Sequence, residues 1–336
     1  MFIRKLSRLA ALSALALALA FAGQTGDIGA ASADSDGAQL LYVDGSGGRV
    51  QLLHVYSAAM EKTITLQVIL PADNSAPRPT LYLLNGAGGG EDAATWFQQT
   101  DIVQYFADKN VNVVIPIGGK FSYYTDWQRD DPKLGRNMWQ TFLTRELPPI
   151  IDAALHTSGA NAIAGISMAA TSALNLAIAA PGLYRAVGSY SGCASTNDET
   201  SRAFVRLVME RSGADVRNMF GPDDDPAWAR HDAVLNAEKL RGLTLYISNS
   251  TGLPGTEDTL EAPNIAGRTS TLANQIVLGG MIEAATNLCT HRLADRLSEL
   301  GIPAQVEFRS GGTHSWRYWQ DALHRSWPIL EAALVR

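Results

Sequence analysis

The chain has 336 residues, a formal net charge of −6 and 46% hydrophobic residues, enough to bury a large core. An acidic balance without a basic stripe argues against nucleic acid as a partner. The six histidines never take H-x-x-x-H or H-x-x-E-H spacing and neither cysteine has metal-ligand spacing, so no metal or other cofactor is expected.

In chain order the first element is a leader. Arg4, Lys5 and Arg8 precede an apolar run from Leu9 to Ala22, broken only by Ser13. This is a charged n-region and an h-region, too short to cross a hydrocarbon layer of about 30 Å. Small-residue cleavage sites follow at Ala20-Phe21-Ala22 and Ala31-Ser32-Ala33, and the polar "DSDGAQ" after the second favours cleavage there. No cysteine follows the h-region, so a lipid anchor is not indicated. Residues 1–33 therefore read as a cleaved signal peptide and residues 34–336 as a single domain, monomeric and exported to the cell envelope or beyond. No later stretch is apolar and long enough to span a membrane. Cleavage would remove three basic residues and only Asp27 among the acids, leaving the mature chain more acidic still. An exported chain meets oxidising conditions, so Cys193 and Cys289 suggest a disulfide. Closing so long a loop is worth roughly 4–5 kcal/mol on the chain-entropy model.

Two β-type runs, "RVQLLHVYS" and "KTITLQVILP", come next and lie close together, as a hairpin would. "TLYLLNG", "NVVIPIGG", "NAIAGIS", "AVGSYSG", "LTLYISNS" and "AQVEFRSGG" follow, and the later ones are near-continuously apolar, as buried parallel strands are. Helical patterns cover 100–109, 138–155, 168–180, 269–300 and 316–335. Strand and helix in alternation predict a mostly parallel sheet of eight strands with helices on both faces, antiparallel at its start. That is the pattern of an α/β-hydrolase.

The fifth of these strands ends in "AIAGISMAAT". In this fold the nucleophile sits on a sharp strand-to-helix turn, where small residues two before and two after the serine let the backbones approach. Gly165 and Ala169 meet that steric need around Ser167, although the usual motif ends in glycine. A serine needs a base, and the base of this fold follows the last strand. His314 lies there in "GGTHSWRYW", after Gly311 and Gly312; His291 and His324 fall inside helical patterns and read as structural. No carboxylate stands directly after the seventh strand. Of Glu257, Asp258, Glu261 and Glu283, the last falls in the otherwise apolar "LGGMIEAATNLC", where an unpaired carboxylate is costly. Glu283 is therefore the expected acid, six residues before a cysteine that a disulfide could pin. Oxyanion donors are expected from the backbone N–H of Met168, after the nucleophile, and of Ala87, in the "NGAGGG" loop.

Six motifs then stand in order over roughly residues 40–330: "LYLLNGAGGGEDAATW", "VIPIGGKFSYYTDW", "TFLTRELP", "GISMAATSAL", "MFGPDDDPAW" and "GTHSWRYW". Together they resemble the antigen 85 family of secreted mycolyltransferases, and the Asn-Gly-Ala-Gly loop with the cysteine pair resembles its corynebacterial-type branch. The resemblance implies ping-pong acyl transfer through an acyl-serine. Ser167 would take a mycolyl group from trehalose monomycolate, and a second trehalose mycolate, arabinogalactan or a protein hydroxyl would accept it. It matches Ser167 to the nucleophile, His314 to the base, and Ala87 and Met168 to the oxyanion donors. Asn85, Gly86, Ser315 and Trp316 match positions that bind the sugar. The family carries Asp in place of Asn85 and Arg in place of Gly88, and its catalytic Glu lies about one helical turn upstream of Glu283. Trp96, Tyr123, Tyr124, Trp127 and Trp316 are placed near the mouth of the site, and for each of them two readings stand equal: contact with sugar or lipid, and ordinary packing. A secreted carboxylesterase and a non-catalytic binding paralogue are the competing readings.

Overall fold

A short edge strand, β1 (Gln39–Asp44), opens the sheet in the computed structural model, which describes residues 37–45 and 47–335. The expected leader of residues 1–33 lies outside the described residues. β2 (Val50–Ser57) and β3 (Lys62–Ile69) form the anticipated hairpin, paired antiparallel from Val50 opposite Ile69 to Ser57 opposite Lys62. β4 (Arg78–Leu84), β5 (Asn112–Ile117), β6 (Thr157–Ile166), β7 (Ala186–Tyr190), β8 (Thr244–Ser250) and β9 (Gln305–Arg309) complete the sheet. Its order is β1-β2-β3-β5-β4-β6-β7-β8-β9. From β5 to β9 every neighbour runs parallel.

The sheet thus has nine strands rather than the eight expected. The extra one is β1, which pairs only with β2 and carries a register shift between Leu40 and Tyr42. Leu41 and Tyr42 stay exposed, so β1 lacks the in–out alternation that marks a half-buried strand. With β1 set aside, β6 is again the fifth strand.

The inner strands are apolar on both faces because each face has its own layer. In β6, Ile163 points into one core cluster while Ala162, Ala164 and Ile166 point into the other. In β4, Tyr82 and Leu84 go one way, Leu81 and Leu83 the other. This is the two-residue period of a strand covered on both sides. The first layer contains α1 (Leu147–Leu155), α2 (Met168–Ala179), α3 (Glu199–Glu210) and the C-terminal half of α4 (Gly280–Glu299). The second is built on α5 (Trp316–Leu334), whose Trp327 is 1% exposed and meets Phe106 edge-to-face. Two of the long helical patterns hold a single π-helical turn, Phe142–Glu146 before α1 and Gln275–Gly279 before α4. α3 was not anticipated. It lies in the long excursion between β7 and β8 and buries only Ser201, Val205 and Met209. Among the described residues no helix is long and apolar enough to cross a membrane.

Candidate active site

Ser167 lies between β6 and α2 with φ 56 and ψ −125, a conformation rare for any residue other than glycine. Holding a serine there costs on the order of 1–3 kcal/mol. The surroundings impose it. The Ser167 amide donates to Tyr190 O at 2.9 Å on the neighbouring strand, and its carbonyl accepts from Ala170 N at 3.0 Å. The small flanks are required for the reason expected. A Cβ on Gly165 would sit 2.5 Å from Ala169 O, and one on Gly192 would sit 2.5 Å from Ala170 Cβ. Ala169, with no solvent exposure, fills the place of the usual glycine without a clash.

His314 reaches the serine from the loop between β9 and α5. Gly312 turns that loop at φ 137, and a Cβ there would meet Ser250 Oγ at 2.7 Å. The His314 amide donates to Gly279 O at 3.1 Å, and its ring stands edge-on to Trp319 with centroids 4.8 Å apart. Nε2 lies 2.8 Å from Ser167 Oγ, and Nδ1 lies 2.8 Å from Glu283 Oε2. A carboxylate can only accept, so Nδ1 carries the proton and Nε2 offers its lone pair to the serine hydroxyl.

Glu283 stands in the first turn of α4 and is 1% exposed. Its Oε1 accepts from Ser250 N and from Ser191 Oγ, both at 2.8 Å. With Oε2 on His314, both oxygens of the buried carboxylate are satisfied, which is what such burial demands. The helix that carries it is tied down. Cys193 and Cys289 form a disulfide with Cα atoms 4.8 Å apart, and Thr290 Oγ1 donates to Gly192 O at 3.1 Å. The three residues singled out in the sequence therefore meet in one hydrogen-bonded chain, although 147 residues separate Ser167 from His314. The other carboxylates go elsewhere. Glu257 pairs with Arg317 at 3.2 Å, Glu261 is exposed, and Asp258 binds Thr313 rather than His314.

The remaining predicted residues divide. Gly86 lies against the elbow, where a Cβ would sit 3.6 Å from Ser167 Cβ. Met168 opens α2, and Ala87 is half-buried in the loop after β4. Ser315 stands at the N-cap position of α5, its buried hydroxyl making no capping bond and having no partner among the described residues, and the half-exposed Trp316 packs edge-to-face on Trp96. Asn85 corrects the expectation of a sugar contact. It has no exposed surface, its Oδ1 accepts from Trp96 N at 3.2 Å, and its Nδ2 faces Pro116 O at 3.4 Å. The amide holds the loop from beneath. The aromatic mouth is also smaller than expected: Trp96, Tyr124 and Trp127 are buried as packing, Tyr123 is 8% exposed, and Trp316 shows partial exposure.

One supporting feature escaped the sequence reading. After β5, Gly118, Gly119, Phe121, Tyr123 and Tyr124 all have positive φ. This contorted segment holds the loop after β4 and the start of α2, the two segments beside the serine. Phe121 N donates to Ala87 O at 2.8 Å, Tyr123 N approaches Met168 Sδ at 3.4 Å, and Ser172 Oγ donates to Tyr123 O at 2.7 Å. The doubled glycine of "IPIGGKFSYY" was its only visible sign.

The geometry has close relatives. A family model described as putative esterase matches residues 57–329. The diacylglycerol acyltransferase/mycolyltransferase Ag85A of Mycobacterium tuberculosis is 32% identical over 293 residues, covering 85% of this chain and 81% of that one. Ag85B of Mycobacterium leprae is 30% identical over 299 residues, covering 85% and 84%. The chain belongs to the antigen 85 family. Solved structures of lower identity share the fold of this antigen 85 family member. MPT51 (FbpC1) of Mycobacterium tuberculosis superposes with a TM-score of 0.68 at 22% identity, covering 83% of this chain and 96% of that one. FphF, a fluorophosphonate-binding serine hydrolase of Staphylococcus aureus, gives 0.62 at 20% identity, covering 85% and 98%. The fold is that of an α/β-hydrolase, and the named relatives make this chain an acyltransferase of esterase architecture.

Proposed function

We propose that this chain is an exported serine acyltransferase that moves a mycolyl-type acyl group from trehalose monomycolate to an envelope hydroxyl. The acceptor is a second trehalose monomycolate, arabinogalactan or a protein side chain. The unbroken line Glu283–His314–Ser167, in a chain akin to mycolyltransferases, carries this reading. His314 Nε2 takes the Ser167 proton as Oγ attacks the ester carbonyl, and Glu283 stabilises the imidazolium through Nδ1. The oxygen of the tetrahedral intermediate is held by the N–H groups of Met168 and Ala87. The C–O bond to trehalose breaks, and His314 returns the proton to the departing sugar oxygen. The acceptor hydroxyl then gives its proton to His314 and attacks the acyl-serine, regenerating Ser167. Gly86, Ser315 and Trp316 border the sugar. The working form is a monomer of one catalytic domain from residue 34, with residues 1–33 removed on export to the envelope and no cofactor required.

Incubation of the mature protein and its Ser167→Ala variant with trehalose monomycolate tests this, with lipids and protein followed by mass spectrometry. The expected result is trehalose dimycolate and an acyl adduct on Ser167 in the wild type, and neither in the variant. Free mycolic acid alone, with or without added sugar, would convert the reading to a carboxylesterase. No adduct in either protein would leave a binding paralogue.

A further inference from the structure

Three segments converge on the backbone of His314, and one carboxylate joins them. Asp258 sits in the 251–268 loop that follows β8 and is 8% exposed. Its Oδ1 accepts from Thr313 Oγ1 at 2.6 Å and from Gln275 Nε2 at 2.7 Å. Its Oδ2 accepts from Tyr318 OH and from Gly255 N, both at 2.8 Å. Thr313 immediately precedes His314 and has no exposed surface. Gln275 opens the π-helical turn that ends at Gly279, whose carbonyl receives the His314 amide at 3.1 Å. Tyr318 lies in the first turn of α5, just beyond the histidine, and its hydroxyl also receives the Glu257 amide at 3.1 Å. The Asp258 carboxylate touches neither His314 nor Ser167 in any of these bonds. Four donors for one nearly dry carboxylate form a network in which each bond strengthens the others.

We infer that Asp258 is a positioning residue, which fixes the position of His314 against Ser167 by clamping the residue before the base, the turn that binds its amide, and the helix after it. The inference rests on the acyl-serine reading above. Its physical content is that His314 is carried by a loop with two adjacent glycines, Gly311 and Gly312, the second at φ 137. Such a loop needs an external anchor to hold an imidazole to the tolerance that proton transfer requires, where a displacement of about 1 Å costs on the order of 100-fold.

The test is the rate at which an alkyl fluorophosphonate labels Ser167. Oγ bonds to phosphorus, fluoride leaves, and the serine proton passes to His314, so the reaction reports the nucleophile and base without requiring the natural lipid. Saturation kinetics separate the maximal labelling rate from probe binding. Asp258→Asn and Thr313→Val are expected to lower the maximal rate about 10- to 100-fold with half-saturation unchanged, and Thr313→Ser, which keeps the hydroxyl, to restore most of it. Thr313→Val swaps a hydroxyl for a methyl of the same shape, so it decides the question even if Asp258→Asn fails to fold. Wild-type maximal rates in Thr313→Val, or a Thr313→Ser variant as slow as Thr313→Val, would overturn the positioning role while leaving the acyl-serine reading intact. Failure of the wild type to label would overturn both.

Discussion

The nucleophile arm and the acid arm of the site are built in opposite ways. Ser167 is set mainly by its own neighbours in the chain, Gly165, Ala169 and the first turn of α2, with β7 and the segment after it, through Tyr190 O and Gly192, closing the turn. Glu283 is set from afar. It depends on Ser191 and Ser250 at the ends of two other strands, on a disulfide spanning 96 residues, and on a histidine 31 residues later. A local device is held by sterics and fails abruptly. A distributed one is held by many modest bonds and fails by degrees.

Substitutions should separate the two. The largest effect is expected for Ser167→Ala, which should reduce turnover on an ester substrate by about 10⁶-fold, leaving the thermal unfolding midpoint near the wild-type value. Glu283→Gln should cost about 10⁴-fold, because a neutral amide no longer stabilises the imidazolium. Glu261→Gln, on an exposed loop residue, should leave turnover within a factor of two, and equal losses in the two variants would sink the choice of acid. Replacing Cys193 and Cys289 together by serine should lower stability by about 4–5 kcal/mol in denaturant titration, with a smaller loss of turnover. A variant as stable as the wild type would mean that α4 needs no tether.

The smallest effect concerns acid. Burial opposes ionisation of Asp198, but bonds from the Ser201 hydroxyl and amide and from Ser195, with Arg292 nearby, outweigh it and hold its carboxyl down at about 2. A depressed carboxylate contributes its full stability above the ordinary value of 3.8 and loses it as pH falls through about 2. Melting curves from pH 5 to pH 2 should therefore decline less steeply for Asp198→Asn, whose side chain still caps α3, than for the wild type. Parallel declines would show that the α3 cap plays no part in acid sensitivity.

The same contrast decides what could be read from the sequence. The elbow was legible because its cause is written in adjacent residues. Glu283 was legible for a different reason: it is the only charge in residues 269–288, so burial without a partner was implausible. What held it was not legible, since Ser191 and Ser250 are ordinary strand-end serines until the sheet brings them beside α4. β1 was missed because "QLLYVD" is largely exposed along an edge and lacks alternation. α3 was missed because it touches the core through only three residues. Asn85 and the buried tryptophans show the reverse limit. A resemblance matches a position to a role, but only packing tells whether the side chain faces the cleft or the core.

The close contact of Gly165 with Ala169, and of Gly192 with Ala170, also bears on how such a molecule can change over generations. Neither glycine can gain even a methyl group without pushing α2 away from β6 or from the segment that follows β7. Novelty in donor or acceptor must then arise elsewhere, at exposed positions of the 251–268 loop such as Leu253 and Glu261 and around Trp316, with Asp258 kept in place. The serine's immediate surroundings are a fixed point around which only the exposed rim of the cleft is free to drift.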